Sequence, residues 1–280
     1  MKHRLKNFII ANCRYGQKKY GVDTGGGKLF KAINKDYQYS IITDNEFENT
    51  SGYKKLFNLT KESIKNKSTP IILGGDHSIS LSTAAASFEV FREDMTLIWV
   101  DAHTDINTPE TSETSNLHGM PVASIFKLMD TMIETSYQPN FDQLIYFGVR
   151  DIDEPELKLL YKHDILYFDP KSIRKNGIDK TCEIINKKSN YNIHLSFDVD
   201  VLDPIIAPAT GTPVNHGLYL NEIDIFINNL KVNKDIRVVD YVEYNPFIFD
   251  IDNQTFNNSV NIIKNIIDDN QIYKTDYAEF

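Results

Sequence analysis

The chain has few cysteines and no long apolar run. Cys13 and Cys182 are its only two cysteines, so we expect free thiols in a reducing compartment and not a disulfide framework. No apolar run is long enough to span a bilayer. The apolar residues after the basic N-terminus are too few for a signal peptide and predict a first buried strand. We therefore predict a cytoplasmic location.

An excess of positive charge is also absent. The 30 Lys and Arg residues are outnumbered by 39 Asp and Glu residues, which gives a formal net charge of −9. This balance argues against nucleic acid or an anionic membrane as a partner, because both favour a basic face. Hydrophobic residues make up 41% of the chain, which is enough for a core. No linker, repeat or low-complexity tract divides it, so we predict a single domain over residues 1–280.

Apolar runs alternate with helix-period segments along the chain. We predict eight strands, at Phe8–Ala11, Tyr39–Ile42, Pro70–Leu73, Leu97–Asp101, Leu144–Gly148, Ile165–Phe168, Ile193–Asp198 and Ile236–Val242. We predict helices at Tyr53–Lys67, Ser80–Phe91, Pro155–Tyr161, Leu220–Leu230 and Asn258–Ile267. Strands that alternate with helices imply right-handed crossovers. The predicted fold is therefore α/β, with a parallel eight-stranded sheet between two helical layers.

Three segments lack both periodicities. Gly25-Gly26-Gly27 predicts a flexible loop, without the strand context or spacing of a nucleotide-binding fingerprint. The polar segment Thr104–Gly119 and the segment Asp203–Gly217, which is rich in Pro, Gly, Thr and Ala, predict two long loops. Both follow predicted strands at their C-terminal ends, where functional loops are expected on a rigid scaffold.

Histidines and aspartates concentrate in three segments, each directly after a predicted strand. The segments are Gly-Gly-Asp-His-Ser at 74–78, Asp-Ala-His-Thr-Asp at 101–105 and Ser-Phe-Asp-Val-Asp-Val-Leu-Asp-Pro at 196–204. Open parallel sheets bind their ligands at this edge. Converging carboxylates repel one another unless a cation lies between them. The three segments together predict a metal centre.

The ligands follow from alternation, because residues two apart in an extended segment face the same side. This geometry and the histidine of the first segment give six candidate metal ligands: His77, Asp101, His103, Asp105, Asp198 and Asp200. Carboxylates and imidazoles suit Mn²⁺ or another oxygen-preferring ion, and six such residues suffice for two ions. Two adjacent ions activate a water, so we expect hydrolysis of a polar carbon centre or a phosphoester. Asp76 is expected to be structural, either as a helix cap or as support for the ring of His77. Asp203-Pro204 is expected to form a turn or to support the ligands without binding metal.

At these residues the chain resembles the ureohydrolase superfamily and, within it, the arginases. Two further runs favour arginase: Asn107-Thr108-Pro109 through Asn116-Leu117-His118-Gly119, and Pro208-Ala209-Thr210-Gly211-Thr212-Pro213. The resemblance implies two Mn²⁺ per subunit, with Asp101 and Asp198 bridging the ions. His77 and Asp105 would complete one site, and His103 and Asp200 the other. A bridging hydroxide would attack the guanidinium carbon of L-arginine, and the products would be ornithine and urea.

The resemblance also implies roles for residues outside the metal ligands. Glu243 would align the guanidinium, His118 would shuttle protons, and Asp105 would pass the hydroxide proton to the departing amine. The predicted substrate contacts are Asn107, Thr114 and Asn116 for the α-carboxylate, Asp153 for the α-amino group, Glu156 through water, and Thr212. A homo-oligomer, trimer or hexamer, is expected.

Other functions remain open at this point. Agmatinase, guanidinobutyrase or formimidoylglutamase activity would fit the metal segments equally well, although agmatine has no α-carboxylate for Asn107, Thr114 and Asn116 to bind. A non-catalytic metal-binding scaffold would leave the ligands intact, but it would give no reason for His118 and Glu243. A metallophosphatase would call for basic residues near the metals, and the three metal segments contain neither Lys nor Arg.

Overall fold

The computed structural model describes residues 4–33 and 37–268, and eight strands in this part of the chain form one sheet. The strands are β1 Lys6–Ala11, β2 Tyr39–Ile42, β3 Thr69–Gly74, β4 Met95–Val100, β5 Leu144–Phe147, β6 Leu166–Phe168, β7 Asn192–Asp198 and β8 Asp235–Val242. Their order across the sheet is β2-β1-β3-β8-β7-β4-β5-β6. Every pairing is parallel, so the predicted parallel eight-stranded sheet is confirmed.

The strands in the middle of the sheet carry apolar residues on both faces, because both faces of the sheet are covered. In β1, Phe8 and Ile10 pack into the core on one face, whereas Ile9 and Ala11 pack into the core on the other. In β4, Ile98 joins the first core and Trp99 a core on the opposite face. Strands buried on two faces lose the apolar–polar alternation of a half-exposed sheet.

Ten α-helices of the described residues supply the covering layers. They are α1 Val22–Ile33, α2 Asp44–Glu48, α3 Ser51–Lys65, α4 Ser80–Phe91, α5 Pro121–Ile125, α6 Glu154–Lys162, α7 Pro170–Asn176, α8 Ile178–Lys188, α9 Leu220–Asn233 and α10 Gln254–Ile267. Helices α1, α8, α9 and α10 pack on one face, and α3, α4, α5 and α6 on the other. All five predicted helices are confirmed within a few residues at their ends. The sequence analysis did not identify the short helices α2, α5 and α7, or α8.

The prediction of a loop at Gly25-Gly26-Gly27 is wrong, because all three residues lie inside α1. A Cβ on Gly25 would lie 2.1 Å from the carbonyl oxygen of Tyr244, and one on Gly26 would lie 2.3 Å from that of Leu73. These glycines therefore allow the helix to pack directly against the backbone of the central strands. Glycine destabilises a helix interior by about 1 kcal/mol per residue relative to alanine, and the close packing against the strands offsets this cost.

The two predicted long loops are present at the C-terminal edge of the sheet. Thr104–Gly119 contains a single 3-10 turn, at Leu117–Gly119. Asp203–Gly217 is closed at its base, where the Asp203 carboxylate accepts hydrogen bonds from the backbone N–H groups of Ile205 and Gly217, each 3.0 Å long. The expected turn at Asp203-Pro204 is thus confirmed. Cys13 and Cys182 are free and buried, and no helix within residues 4–33 and 37–268 has the length and apolar character needed to cross a membrane.

Candidate active site

The site lies at the C-terminal ends of four neighbouring strands in the middle of the sheet. Strands β3, β8, β7 and β4 are adjacent in that order. His77 follows β3, Glu243 follows β8, Asp198 ends β7, and Asp101 follows β4. Residues that are far apart in the chain therefore meet at one edge, as open parallel sheets bring them together.

The six predicted metal ligands, which we call the ligand cluster, converge around two points. At the first point, His77 Nδ1 lies 2.9 Å from Asp101 Oδ2, 3.2 Å from Asp105 Oδ2 and 3.2 Å from Asp198 Oδ2. All four side chains are almost fully buried. Such a group of one imidazole and three carboxylates would hold a single cation.

The second point lies beside the first and shares Asp101 with it. His103 Nδ1 lies 3.1 Å from Asp200 Oδ2 and 3.4 Å from Asp101 Oδ1. Ligand atoms of His77, Asp101 and Asp198 lie within 4.8 Å of one another, and so do those of Asp101, His103 and Asp200. Asp101 thus directs one carboxylate oxygen toward each point, which is the geometry of a bridging ligand.

The six ligands converge as predicted, but not for the predicted reason. The prediction assumed extended segments in which residues two apart face the same side, and these segments are not extended. Asp105 has a φ of +50°, in the left-handed region, so Asp101–Asp105 is not an extended segment. Val199–Val201 forms a 3-10 turn, in which the Asp200 N–H donates to Asp198 Oδ1 at 2.8 Å. Tight turns after the strands, rather than extended backbone, direct these side chains to one place. A non-glycine residue at positive φ costs of order 1 kcal/mol and often marks a functional site.

Three features of the cluster fit a divalent cation bound between these side chains. His77 Nδ1 is buried and has no hydrogen-bond partner although three carboxylate oxygens surround it. Nε2 of the same ring lies 2.9 Å from Ser196 Oγ, which leaves Nδ1 to act as a ligand atom. Burial and the nearby charges of Asp200 and Asp101 raise the pKa of Asp198 well above its usual value. Without cations this concentration of acid would be partly protonated.

The capping role expected of Asp76 is also present. Its carboxylate accepts a hydrogen bond of 2.9 Å from the backbone N–H of Ser78 at the start of the turn that contains His77. A second bond, of 2.8 Å, comes from the backbone N–H of Gly16. Asp76 therefore fixes the turn of His77 and also holds the loop that follows β1.

Beside the ligand cluster, the buried Glu243 pairs with His118, whose side chain is 17% exposed. His118 Nδ1 lies 3.1 Å from Glu243 Oε1, which also accepts a 2.8 Å hydrogen bond from the backbone N–H of His77. Burial opposes the charge of both groups. Even so, their mutual hydrogen bond lowers the pKa of Glu243 and raises that of His118 to about 9. Glu243 has a φ of +66°, so its backbone is held out of the extended region as well.

The predicted substrate contacts fall into three places. Asn107 Nδ2 donates to Asp153 Oδ2 at 3.1 Å, and the backbone N–H of Asp153 donates to Glu156 Oε2 at 2.9 Å. Burial raises the pKa of Glu156 to about 7. Thr114 and Asn116 contact each other further along the same loop, through a 3.2 Å hydrogen bond from the Asn116 N–H to Thr114 Oγ1. Thr212 lies on the other long loop and donates to Asp200 Oδ2 at 3.2 Å.

Two polar residues of the site were missed by the sequence analysis. Gln17 Nε2 donates a 2.6 Å hydrogen bond to Glu243 Oε2. Arg150 directs its guanidinium at backbone carbonyl groups, including those of Asp200 at 2.8 Å and Val214 at 2.7 Å, and so ties the Asp203–Gly217 loop to the ligand strands. A signal was available for Gln17, because its polar loop follows a predicted strand at the same sheet edge. Arg150 acts on carbonyl groups, which a sequence motif does not reveal.

A parallel α/β sheet with clustered His and Asp side chains at its central strand ends is typical of metal-dependent hydrolases. Comparison with known proteins identifies which one. A model of the Arginase family matches residues 13–268. The arginase of Coccidioides posadasii is 35% identical over 268 residues, which cover 82% of this chain and 83% of that protein. The chain belongs to the arginase family.

Two further relatives agree with this assignment. The mitochondrial arginase-2 of Homo sapiens is 34% identical over 234 residues, or 79% of this chain and 65% of that protein. The crystal structure of Entamoeba histolytica arginase in complex with L-ornithine matches with a TM-score of 0.84 at 30% identity, and the match covers 95% of this chain and 99% of that one. The predicted family and the enzyme class, a hydrolase of the arginase type, are confirmed.

Proposed function

We propose that this protein hydrolyses the guanidinium group of L-arginine to give L-ornithine and urea, with two Mn²⁺ bound per subunit. The observation that carries the proposal is the buried carboxylate of Glu243 beside the ligand cluster. Its Oε1 lies 2.8 Å from the backbone nitrogen of His77. Burial opposes the charge of this carboxylate, but its hydrogen bond with His118 lowers its pKa. An anion beside the ligand cluster suits a cationic substrate group, and a guanidinium is planar, always charged and able to make two parallel hydrogen bonds.

The ligand cluster would hold the two ions, with His77 and Asp105 on one, His103 and Asp200 on the other, and Asp101 and Asp198 shared. Oxygen and imidazole donors without thiolate favour Mn²⁺ over a thiolate-selected zinc site. When bound, the ions would lower the pKa of a shared water and so supply the nucleophile at neutral pH. The protein holds these six side chains at the C-terminal ends of β3, β4 and β7, which fixes where that attack takes place.

Two groups with shifted pKa values suit the proton transfers. Burial and the charge of Asp101 raise the pKa of Asp105 to about 6, so its carboxylate is able to take up the proton released by the nucleophile. The pKa of His118 is raised to about 9, so it carries a proton near neutral pH. We assign His118 the exchange of that proton with solvent or with the departing amine.

The amino-acid end of the substrate would be held by Asn107, Thr114 and Asn116 at its α-carboxylate and by Asp153 at its α-amino group. Glu156 would assist through water, and Thr212 would support Asp200. Asp153 is exposed, and it is oriented by its hydrogen bond to Asn107. This set favours arginine over agmatine, which has no carboxylate to bind. The named relatives that are about one-third identical to this chain are arginases, which supports the same choice.

Steady-state kinetics with purified, manganese-loaded protein test the proposal directly. Agmatine lacks the α-carboxylate of L-arginine, and 4-guanidinobutyrate keeps a carboxylate but has no amino group and a chain one carbon shorter. We expect the highest kcat/KM for L-arginine. A preference for agmatine would overturn the substrate assignment. No urea from any of the three, with two metals bound, would support a non-catalytic metal-binding protein instead.

The remaining expectations belong to the same proposal. We infer a single domain over residues 1–280, a homo-oligomer of trimeric or hexameric form, and a cytoplasmic location. Sedimentation of the purified protein would test the oligomer, and a size that corresponds to a monomer would contradict it.

A further inference from the structure

Hydrogen bonds within the protein already occupy most of the acceptor positions of the Glu243 carboxylate. Too few remain for both N–H donors of a guanidinium. Oε1 accepts from the backbone N–H of His77 at 2.8 Å and lies 3.1 Å from His118 Nδ1, so both of its lone-pair directions are in use. Oε2 accepts a 2.6 Å hydrogen bond from Gln17 Nε2. A carboxylate offers about four acceptor positions. One acceptor position therefore remains on Glu243, whereas a guanidinium presents two parallel N–H donors.

The side chain of Gln17 supplies a second oxygen next to that position. Because a carboxylate only accepts hydrogen bonds, the amide nitrogen of Gln17 must face Glu243, and the amide oxygen is directed away from it. A Cβ on Gly211 would lie 3.0 Å from Gln17 Oε1 and 3.7 Å from Glu243 Oε2. The two oxygens therefore lie side by side next to Gly211, and a side chain at that position would crowd Gln17 Oε1.

The backbone that carries Gln17 is fixed on both sides of it. The N–H of Gly16 donates to Asp76 Oδ2 at 2.8 Å, and the carbonyl oxygen of Gly16 accepts a 3.0 Å hydrogen bond from the N–H of His118. On the other side, the Lys19 ammonium donates to the carbonyl oxygen of Gly211. Gln17 is thus held between the turn of His77, the loop of His118 and the loop of Gly211, so its position is set by the same elements that build the site.

We propose that Gln17 determines specificity for a guanidinium group, an inference that rests on the proposed function. Its amide nitrogen fixes the orientation of Glu243. Its amide oxygen, which is neutral, is the second acceptor for the guanidinium N–H groups. A substrate end with a single ammonium group has no use for this pair of oxygens, because it presents no two parallel N–H donors. The residue therefore acts on the guanidinium end and not on the amino-acid end of the ligand.

The test replaces Gln17 with methionine, which has a similar length but neither the donor nor the acceptor. For Gln17→Met loaded with Mn²⁺, we expect KM for L-arginine to rise about tenfold to a hundredfold, the range for hydrogen bonds to charged groups. The inhibition constant of L-ornithine, which has no guanidinium, should stay within about twofold of its wild-type value. Isothermal titration of the chelator-treated, metal-free protein with both ligands should show the same difference without turnover.

The matched control is Lys18→Met, since Lys18 is the exposed neighbour in the same loop. It should leave both ligands unaffected, and both variants should bind as much metal as the wild type. Equal weakening of arginine and ornithine by Gln17→Met would mean a general disturbance of the site, and no weakening of arginine would mean no contact. Either result overturns the inference. A wild-type protein that neither binds nor hydrolyses arginine would instead refute the proposed function.

Discussion

The ligand cluster and the loop from Asn107 to Asn116, which we call the recognition loop, are built in different ways. The ligands lie at or just after the ends of the buried strands β3, β4 and β7, and Asp101, His77 and Asp200 are at most 1% exposed. In the recognition loop, Thr114 is exposed and Asn116 is half-buried. A metal centre needs positions held to fractions of an ångström, which neighbouring strands provide, whereas selection among substrates requires access from solvent. We therefore expect the ligand cluster to determine the reaction and the recognition loop to determine the substrate.

The largest effect is expected from a change at the shared metal ligand. Asp101→Asn should lose both metal ions and nearly all activity, by a factor on the order of 10³ or more, because one carboxylate serves both points of the cluster. Metal content from atomic spectroscopy and urea release check this. Asp142→Asn, at an exposed position outside the site, is the control. Full activity with two retained metals would contradict the bridging role.

A smaller effect is expected where the cluster meets the substrate. Glu243→Gln keeps the shape of the side chain but removes the charge opposite the guanidinium, so kcat/KM for L-arginine should fall about a hundredfold or more. Metal content should not change, because Glu243 is not a proposed ligand. The combination of intact metals and lost arginine turnover distinguishes this variant from Asp101→Asn. Metal loss would show that Glu243 belongs to the cluster instead.

Changes in the recognition loop should alter selectivity more than catalysis. Asn107→Ala removes the amide that orients Asp153 and, as proposed, contacts the α-carboxylate. We expect kcat/KM for L-arginine to fall about tenfold, with little change for agmatine and none in metal content. Parallel kinetics on the two substrates provide the check. An equal loss for both would place Asn107 in the catalytic machinery and would remove the contrast between the two regions.

The smallest effect is a dependence of metal affinity on pH. The pKa of Asp105 is raised to about 6, chiefly by burial, and this carboxylate must be deprotonated to bind a cation. Protons therefore compete with the metal as the pH falls through 6, and Mn²⁺ affinity at pH 5 should be about tenfold weaker than above pH 7. Titration of metal-free protein with Mn²⁺ at several pH values measures this. An affinity that does not fall on acidification would exclude Asp105 as a ligand.

Much of the fold could be predicted because local patterns carry it. Most strands contain a short apolar run, since the sheet is covered on both faces, and such runs are visible in the sequence. Helix α1 was not recognised because Gly25 and Gly26 resemble a loop by composition. Their actual requirement, contact with the backbone at Tyr244 and Leu73, depends on which strands lie next to each other. That order is a tertiary property, and local pattern does not specify it.

The candidate site also has parts that local sequence predicts and parts that depend on tertiary structure. Its ligands could be predicted because acidic residues after buried strands are chemically unusual and because the family motif is local. The turns that direct Asp105 and Asp200 could not, since the prediction assumed extended backbone. The polar loop of Gln17 was a visible signal, but its contact with Glu243 was not, because that contact depends on the adjacency of β1, β3 and β8. Contacts that connect separate loops become visible only when the sheet order is known.

The central claim is that one cluster binds two ions and uses them on arginine. Titration of metal-free protein with Mn²⁺, with bound metal and urea release from L-arginine followed in the same samples, tests it most directly. We expect binding to saturate at two ions per chain and activity to reach its maximum as the second ion binds. Saturation at one ion with full activity, or two bound ions without urea release, would contradict it.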